Sequence, residues 1–163
     1  MVKRTKYLEK LKKIKDMQII KVITGVRRCG KSTLLSQFKN SLIESGILEK
    51  QIIFINFEDL KFEDLKDYKL LYQYINERLV PNKKNYIFID EIQEVENFQR
   101  AVDSLFIKDN TDIYITGSNA MMLSGELATL LSGRYIEISI LPLSFSEYLK
   151  LDEIQDVRQA WNK

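Results

Sequence analysis

Histidine is absent from this sequence of 163 residues, and with it go imidazole acid–base catalysis and histidine-ligated zinc. A single cysteine, Cys29, excludes an internal disulfide and agrees with a reducing compartment, so a cytoplasmic location is expected. The longest apolar runs, such as 52–55 and 86–89, are far too short to cross a bilayer, and no membrane partner is expected. Behind Met1 comes Val-Lys-Arg-Thr-Lys rather than a secretory apolar segment. The two prolines, Pro81 and Pro142, both fall where an element should begin or end. There is no internal repeat, low-complexity tract or Gly/Ser/Pro linker. The length fits one domain over 1–163.

What remains is an ordinary globular balance, 45% hydrophobic and 29% charged. The net charge of +2 is unevenly spread. Residues 1–16 hold seven Lys/Arg against Glu9 and Asp16, a net of +5, which leaves −3 for the rest. Such an arm attracts nucleic acid or phosphate. The alternative is an amphipathic helix over 4–16, with Tyr7, Leu8, Leu11 and Ile14 buried and the lysines solvated.

Periodicity predicts strands at 19–24, 51–57, 86–90, 112–116 and 135–140. Helices are predicted at 31–44, 65–79, around 98–106 and at 120–131, with helical character resuming near Ser144. The second to fourth strands are near-continuous Ile/Phe/Tyr, the mark of burial on both faces. The fifth alternates, with Ile136, Ile138 and Ile140 against Glu137 and Ser139, as an exposed edge does. Strands alternating with helices imply an α/β fold, a parallel sheet covered on both sides.

Between the first strand and its helix stands Gly25-Val26-Arg27-Arg28-Cys29-Gly30-Lys31-Ser32, a match to G-x-x-x-x-G-K-[ST] in its proper strand–helix context. The glycines let consecutive N–H groups turn toward phosphate oxygens, and the helix start adds favourable potential. Lys31 is expected to reach the β- and γ-phosphates, Ser32 to ligate Mg²⁺, and Thr33 to meet the α-phosphate. Arg27 and Arg28 bring charge without an assigned contact. Cys29 is either a small residue where one fits or a thiol activated by the electropositive loop.

The third strand ends in Asp90-Glu91. At the C-terminal edge of a parallel sheet, Asp90 would emerge beside the loop to hold Mg²⁺, and Glu91 would orient and polarise the attacking water. Guanine is read by Asn-Lys-x-Asp; the nearest text, Asn82-Lys83-Lys84-Asn85, lacks the acid. A water-activating glutamate also argues against phosphotransfer to a small molecule. ATP is therefore the expected nucleotide, Mg²⁺ the expected cofactor, and ADP and phosphate the expected products.

With these motifs stand Ile53-Phe-Ile-Asn-Phe-Glu-Asp59, Ile115-Thr-Gly-Ser-Asn119, Leu131-Ser-Gly-Arg-Tyr135 and Leu141-Pro-Leu-Ser-Phe-Ser-Glu147. Together they resemble AAA+-type ATPases, most closely the bacterial and archaeal AAA-domain proteins in which this module precedes a separate C-terminal domain. The resemblance implies a three-layer sandwich with parallel strands in the order 5-1-4-3-2. It implies a sensor of the γ-phosphate or attacking water at Asn119, with Thr116 and Ser118 as alternates. Asn56 matches a position that restrains the catalytic glutamate in some relatives. Arg134 falls where such proteins keep an arginine finger; its alternative is a partner for Glu126, Glu137 or another surface acid. The helical lid and C-terminal domain are expected to be missing, as in a fragment of a longer gene product, with self-association through Arg134 belonging to the full-length protein. Three functions stay open: an ATPase, weak in isolation; a nucleotide-gated signalling module; and a nucleic-acid-associated ATPase using the basic arm.

Overall fold

The computed structural model describes residues 3–117, 129 and 131–143. In order, the elements are α1 (Thr5–Ile14), β1 (Ile20–Thr24), α2 (Lys31–Glu44), β2 (Ile52–Asn56), α3 (Tyr68–Asn76), β3 (Asn85–Asp90), α4 (Phe98–Phe106), β4 (Thr111–Thr116) and β5 (Tyr135–Ser139). All five strands run parallel in one sheet ordered β2-β3-β4-β1-β5, the expected order read from the other edge. The expected helix at 120–131 apart from residues 129 and 131, the sensor candidates Ser118 and Asn119, and the segment from 144 onward lie outside the described residues.

Alternation along each strand sends successive side chains to opposite faces. One face carries Ile20, Val22, Ile53, Ile55, Ile87, Ile89, Ile113 and Ile115 and is covered by α3 and α4 through Leu71, Ile75, Ala101, Val102 and Leu105. The other carries Ile23, Tyr86, Phe88, Tyr114 and Ile138 and is covered by α1 and α2 through Leu8, Leu11, Leu34, Leu35, Phe38 and Leu42. The amphipathic reading of the basic arm therefore holds for α1. Arg4, just before α1, is only 4% exposed.

Two expectations need correction. β2 is an edge strand with alternating burial, not a strand buried on both faces. Its continuous apolar run survives because Phe54 stacks on Phe88 and Lys39 lies over the Phe54 ring. The helix expected at 65–79 is divided: a 3₁₀ segment spans Leu60–Lys66, and α3 starts at Tyr68 because the Asp67 carboxylate accepts from the Lys69 and Leu70 amides. β5 is the exposed edge its alternation predicts, with Ile138 buried and Ile136 36% exposed.

Candidate functional site

The loop from β1 to α2 has little freedom. Gly25 is buried, and a Cβ there would lie 2.5 Å from Cys29 Sγ and 2.6 Å from the Ile140 carbonyl oxygen. Gly30 takes φ +95°, a conformation costly for any side chain, as the residue preceding α2. No side chain caps that helix, so its first N–H groups are left for a ligand. The buried Arg4 braces the loop from behind: its guanidinium donates to the carbonyls of Cys29 (3.3 Å) and Leu141 (2.7 Å). Its backbone N–H donates to Gln37 on α2. Arg4 was not legible as a supporting residue; its only sequence signal was the apolar stripe beside it.

Lys31 is buried, with Nζ donating to the Gly25 carbonyl at 3.4 Å and lying 3.7 Å from Glu91 Oε1. Asp90, at the end of β3, is fully buried. Burial raises its carboxyl above the ordinary range; hydrogen bonds from Ser32 and Thr116 oppose this, and the charges of Glu91 and Glu58 add to it. One oxygen, Oδ2, is buried without a hydrogen-bond partner. Glu91 follows in a left-handed conformation (φ 57°, ψ 51°), unusual for a non-glycine residue. Its amide donates to Thr116 Oγ1 at 2.9 Å, and its carboxylate accepts from Gln93 Nε2.

Two connected clefts open in front of these groups. One, of about 310 Å³, is lined by Arg27, Arg28, Gly30, Lys31, Ser32, Thr33, Glu58 and Glu91. The other, of about 520 Å³, runs outward past Arg27, Lys31, Phe57, Glu58, Glu91, Gln93 and Glu94. Residues 25–33 and the Asp90–Glu91 pair thus converge as expected, and Glu58 and Gln93 join them without having been foreseen. Val26, Arg27 and Arg28 are exposed, while Cys29 is 3% exposed against Gly25.

Other candidates stand apart. Arg134 precedes β5, at the opposite end of the strands from the loop; its carbonyl accepts from Ile20 and its guanidinium lies 5.7 Å from the Phe106 ring centroid. Asn56 turns to its own chain, its Oδ1 accepting from the Glu58 amide. Thr116 is fully buried, with its hydroxyl proton given to Asp90 Oδ1, so it has no proton to offer a phosphate.

The sequence pattern of the AAA domain matches residues 18–149. The chain belongs to the AAA domain family. An uncharacterised protein of Haemophilus influenzae is 51% identical over 164 residues, covering all of this chain and 41% of that protein. An uncharacterised protein of Methanocaldococcus jannaschii is 41% identical over 136 residues, covering 80% of this chain and 28% of that one. The chain therefore spans less than half the length of these curated relatives. Among solved structures, Aeropyrum pernix ORC1 in complex with DNA shares the fold, with TM-score 0.67, 13% identity and coverage of 94% of this chain and 49% of that one. A Walker-type ATPase of Pyrococcus abyssi does likewise, with TM-score 0.64, 18% identity and coverage of 94% and 57%. This AAA domain is thus an AAA+-type P-loop module, with the loop at Gly25–Ser32 joining β1 to α2.

Proposed function

We propose that this AAA domain binds ATP with Mg²⁺ and hydrolyses it to ADP and phosphate. The observation that carries the reading is the meeting of Lys31 with Glu91, next to the buried Asp90, at the mouth of an uncapped α2. The donors suit Mg²⁺: a serine hydroxyl and a buried carboxylate with one unpartnered oxygen are hard oxygen ligands. Ser32 and Asp90 would hold it, and it would neutralise charge on the β- and γ-phosphates.

The protein's own groups do the rest. Amides of residues 25–33 and the Lys31 ammonium hold the phosphate oxygens. Glu91 accepts a proton from the attacking water; as oxygen bonds to the γ-phosphorus, the bond to the ADP oxygen breaks and that oxygen leaves on ADP. Arg134, at the far end of the strands from its own loop, would serve a neighbouring copy. Turnover in isolation is then expected below about 1 s⁻¹.

Calorimetry and phosphate release test this together. Lys31→Ala should lose ATP affinity by at least about 100-fold. Glu91→Gln should keep affinity and lose about 10²-fold or more in turnover. Parental affinity in the first variant ends the binding reading; parental turnover in the second ends the assignment of Glu91.

A signalling module with little hydrolysis is the second reading, favoured by the hold of Gln93 and Lys31 on Glu91. Turnover at saturating ATP separates the two. The nucleic-acid reading keeps only the exposed lysines of α1, and salt-dependent DNA affinity would support it.

A further inference from the structure

We propose that Thr116 is a positioning residue whose single hydroxyl sets both carboxylates, fixing which oxygen of Asp90 is left for the cation and where Glu91 points. This rests on the reading of Asp90 and Glu91 given above.

The strand register makes the contact possible. β3 and β4 are parallel neighbours with Ile89 opposite Ile115, so Asp90 and Thr116 end side by side on the face that α2 covers. Thr116 is fully buried, and both hydrogen-bonding directions of its hydroxyl are used. It donates to Asp90 Oδ1 and accepts from the Glu91 amide at 2.9 Å. The direction is fixed by chemistry: an ionised carboxylate oxygen only accepts and an amide N–H only donates.

Two consequences follow from that one group. Occupying Oδ1 leaves Oδ2, buried and without a partner, as the oxygen free to take a cation beside Ser32. Holding the amide of Glu91 stabilises a left-handed residue that the backbone would otherwise abandon. That conformation turns the chain back after β3, bringing the Glu91 carboxylate to Lys31 and Gln93. Valine has the same shape but can neither donate nor accept; serine can do both.

The test uses this chain carrying Thr116→Val, Thr116→Ser or Thr116→Ala, with thermal melts to confirm folding. ATP affinity is measured by calorimetry in EDTA and in excess Mg²⁺, and turnover by phosphate release. In EDTA, Thr116→Val should stay within about threefold of the parent, because the loop is untouched. Its gain in affinity on adding Mg²⁺ should shrink by roughly 10–100-fold, the range for removing an outer partner of a metal ligand, with a similar loss of turnover. Thr116→Ser should keep both within about threefold. A full Mg²⁺-dependent gain in Thr116→Val overturns the inference. So does an equal loss in valine and serine variants, which would mean the methyl matters and the hydroxyl does not. If Thr116→Val does not fold, the alanine–serine pair is read in the same way. Failure of the underlying reading shows in the parent, as absent ATP binding or absent Mg²⁺-dependent gain, and takes this inference with it. Failure of the inference alone shows only in the variants.

Discussion

Toward α3 and α4 the middles of β1 to β4 present isoleucine and valine at alternating positions, with Thr24, Asn85 and Thr111 at the strand ends, whereas toward α1 and α2 the intervening positions include Lys21, Tyr86, Phe88, Asp90, Asp112, Tyr114 and Thr116. The first face is aliphatic at its centre, and from β2 to β1 no strand side chain on it titrates. The second is aromatic, with Phe88 and Tyr114 stacked at 4.9 Å and Phe38 edge-on to Phe88 and tilted against Tyr114, and it buries an ion pair. Lys21 Nζ meets Asp112 Oδ1 and the Met17 carbonyl; Asp112 Oδ2 accepts from the Tyr114 hydroxyl and the Asp16 amide. Burial lowers the Lys21 pKa, opposed by Asp112, and raises that of Tyr114. The division teaches where stability and chemistry separate. Each buried isoleucine contributes about 1.5–3 kcal/mol, whereas a buried ion pair nets close to zero against apolar replacements. Polar groups on the second face cost something to bury, and that face also meets the phosphate loop.

The largest way to break the comparison is to strand one charge. Asp112→Ala leaves Lys21 buried alone and should cost about 3–5 kcal/mol by denaturant unfolding. The double change Lys21→Met with Asp112→Leu should restore most of that loss; a double variant as unstable as the single would show that the pair itself stabilises the fold. A smaller effect is expected on the aliphatic face. Ile87→Val should cost about 0.5–1.5 kcal/mol and leave ATP affinity unaltered, since no polar contact depends on it. A change in affinity there would mean the faces are coupled.

The smallest effect is electrostatic. Burial raises the Asp16 carboxyl, but hydrogen bonds from Tyr86 and Lys15 outweigh it and hold its pKa below the ordinary value. Its contribution is therefore present above the unfolded pKa near 3.8 and is lost as pH falls through the lower folded one. Asp16→Asn should cost less than about 1 kcal/mol at pH 7, because the side chain is 44% exposed, and nothing in strong acid. Asparagine tolerates the left-handed backbone at this position (φ 64°), so the difference reports charge alone. A pH-independent deficit would contradict that account.

The loop at 25–32 and the acids at 90–91 were legible because their chemistry is contiguous in the chain, and the strands because each apolar run ends at a turn former. The supporting groups were not. Arg4 sits among lysines and differs from them only in what surrounds it, the carbonyls of Cys29 and Leu141, which lie 25 and 137 residues away. The role of Thr116 depends on the strand register that sets it beside Asp90. The run at 52–55 suggested a buried strand because periodicity reports apolarity, not which neighbours supply the cover. Arg134 precedes β5, at the end of the strands away from its own loop, as its place in the chain and the strand order imply.

Cys29 is the only thiol in the protein, and it is 3% exposed with its sulfur filling the space above Gly25. A closed loop therefore hides the whole reactive sulfur content of the chain, and each opening displays it. The alkylation rate becomes a direct count of loop openings, free of background from a second cysteine. Measured without nucleotide, that rate gives the rigidity the empty loop already has, and hence how little disorder a phosphate must remove when it arrives.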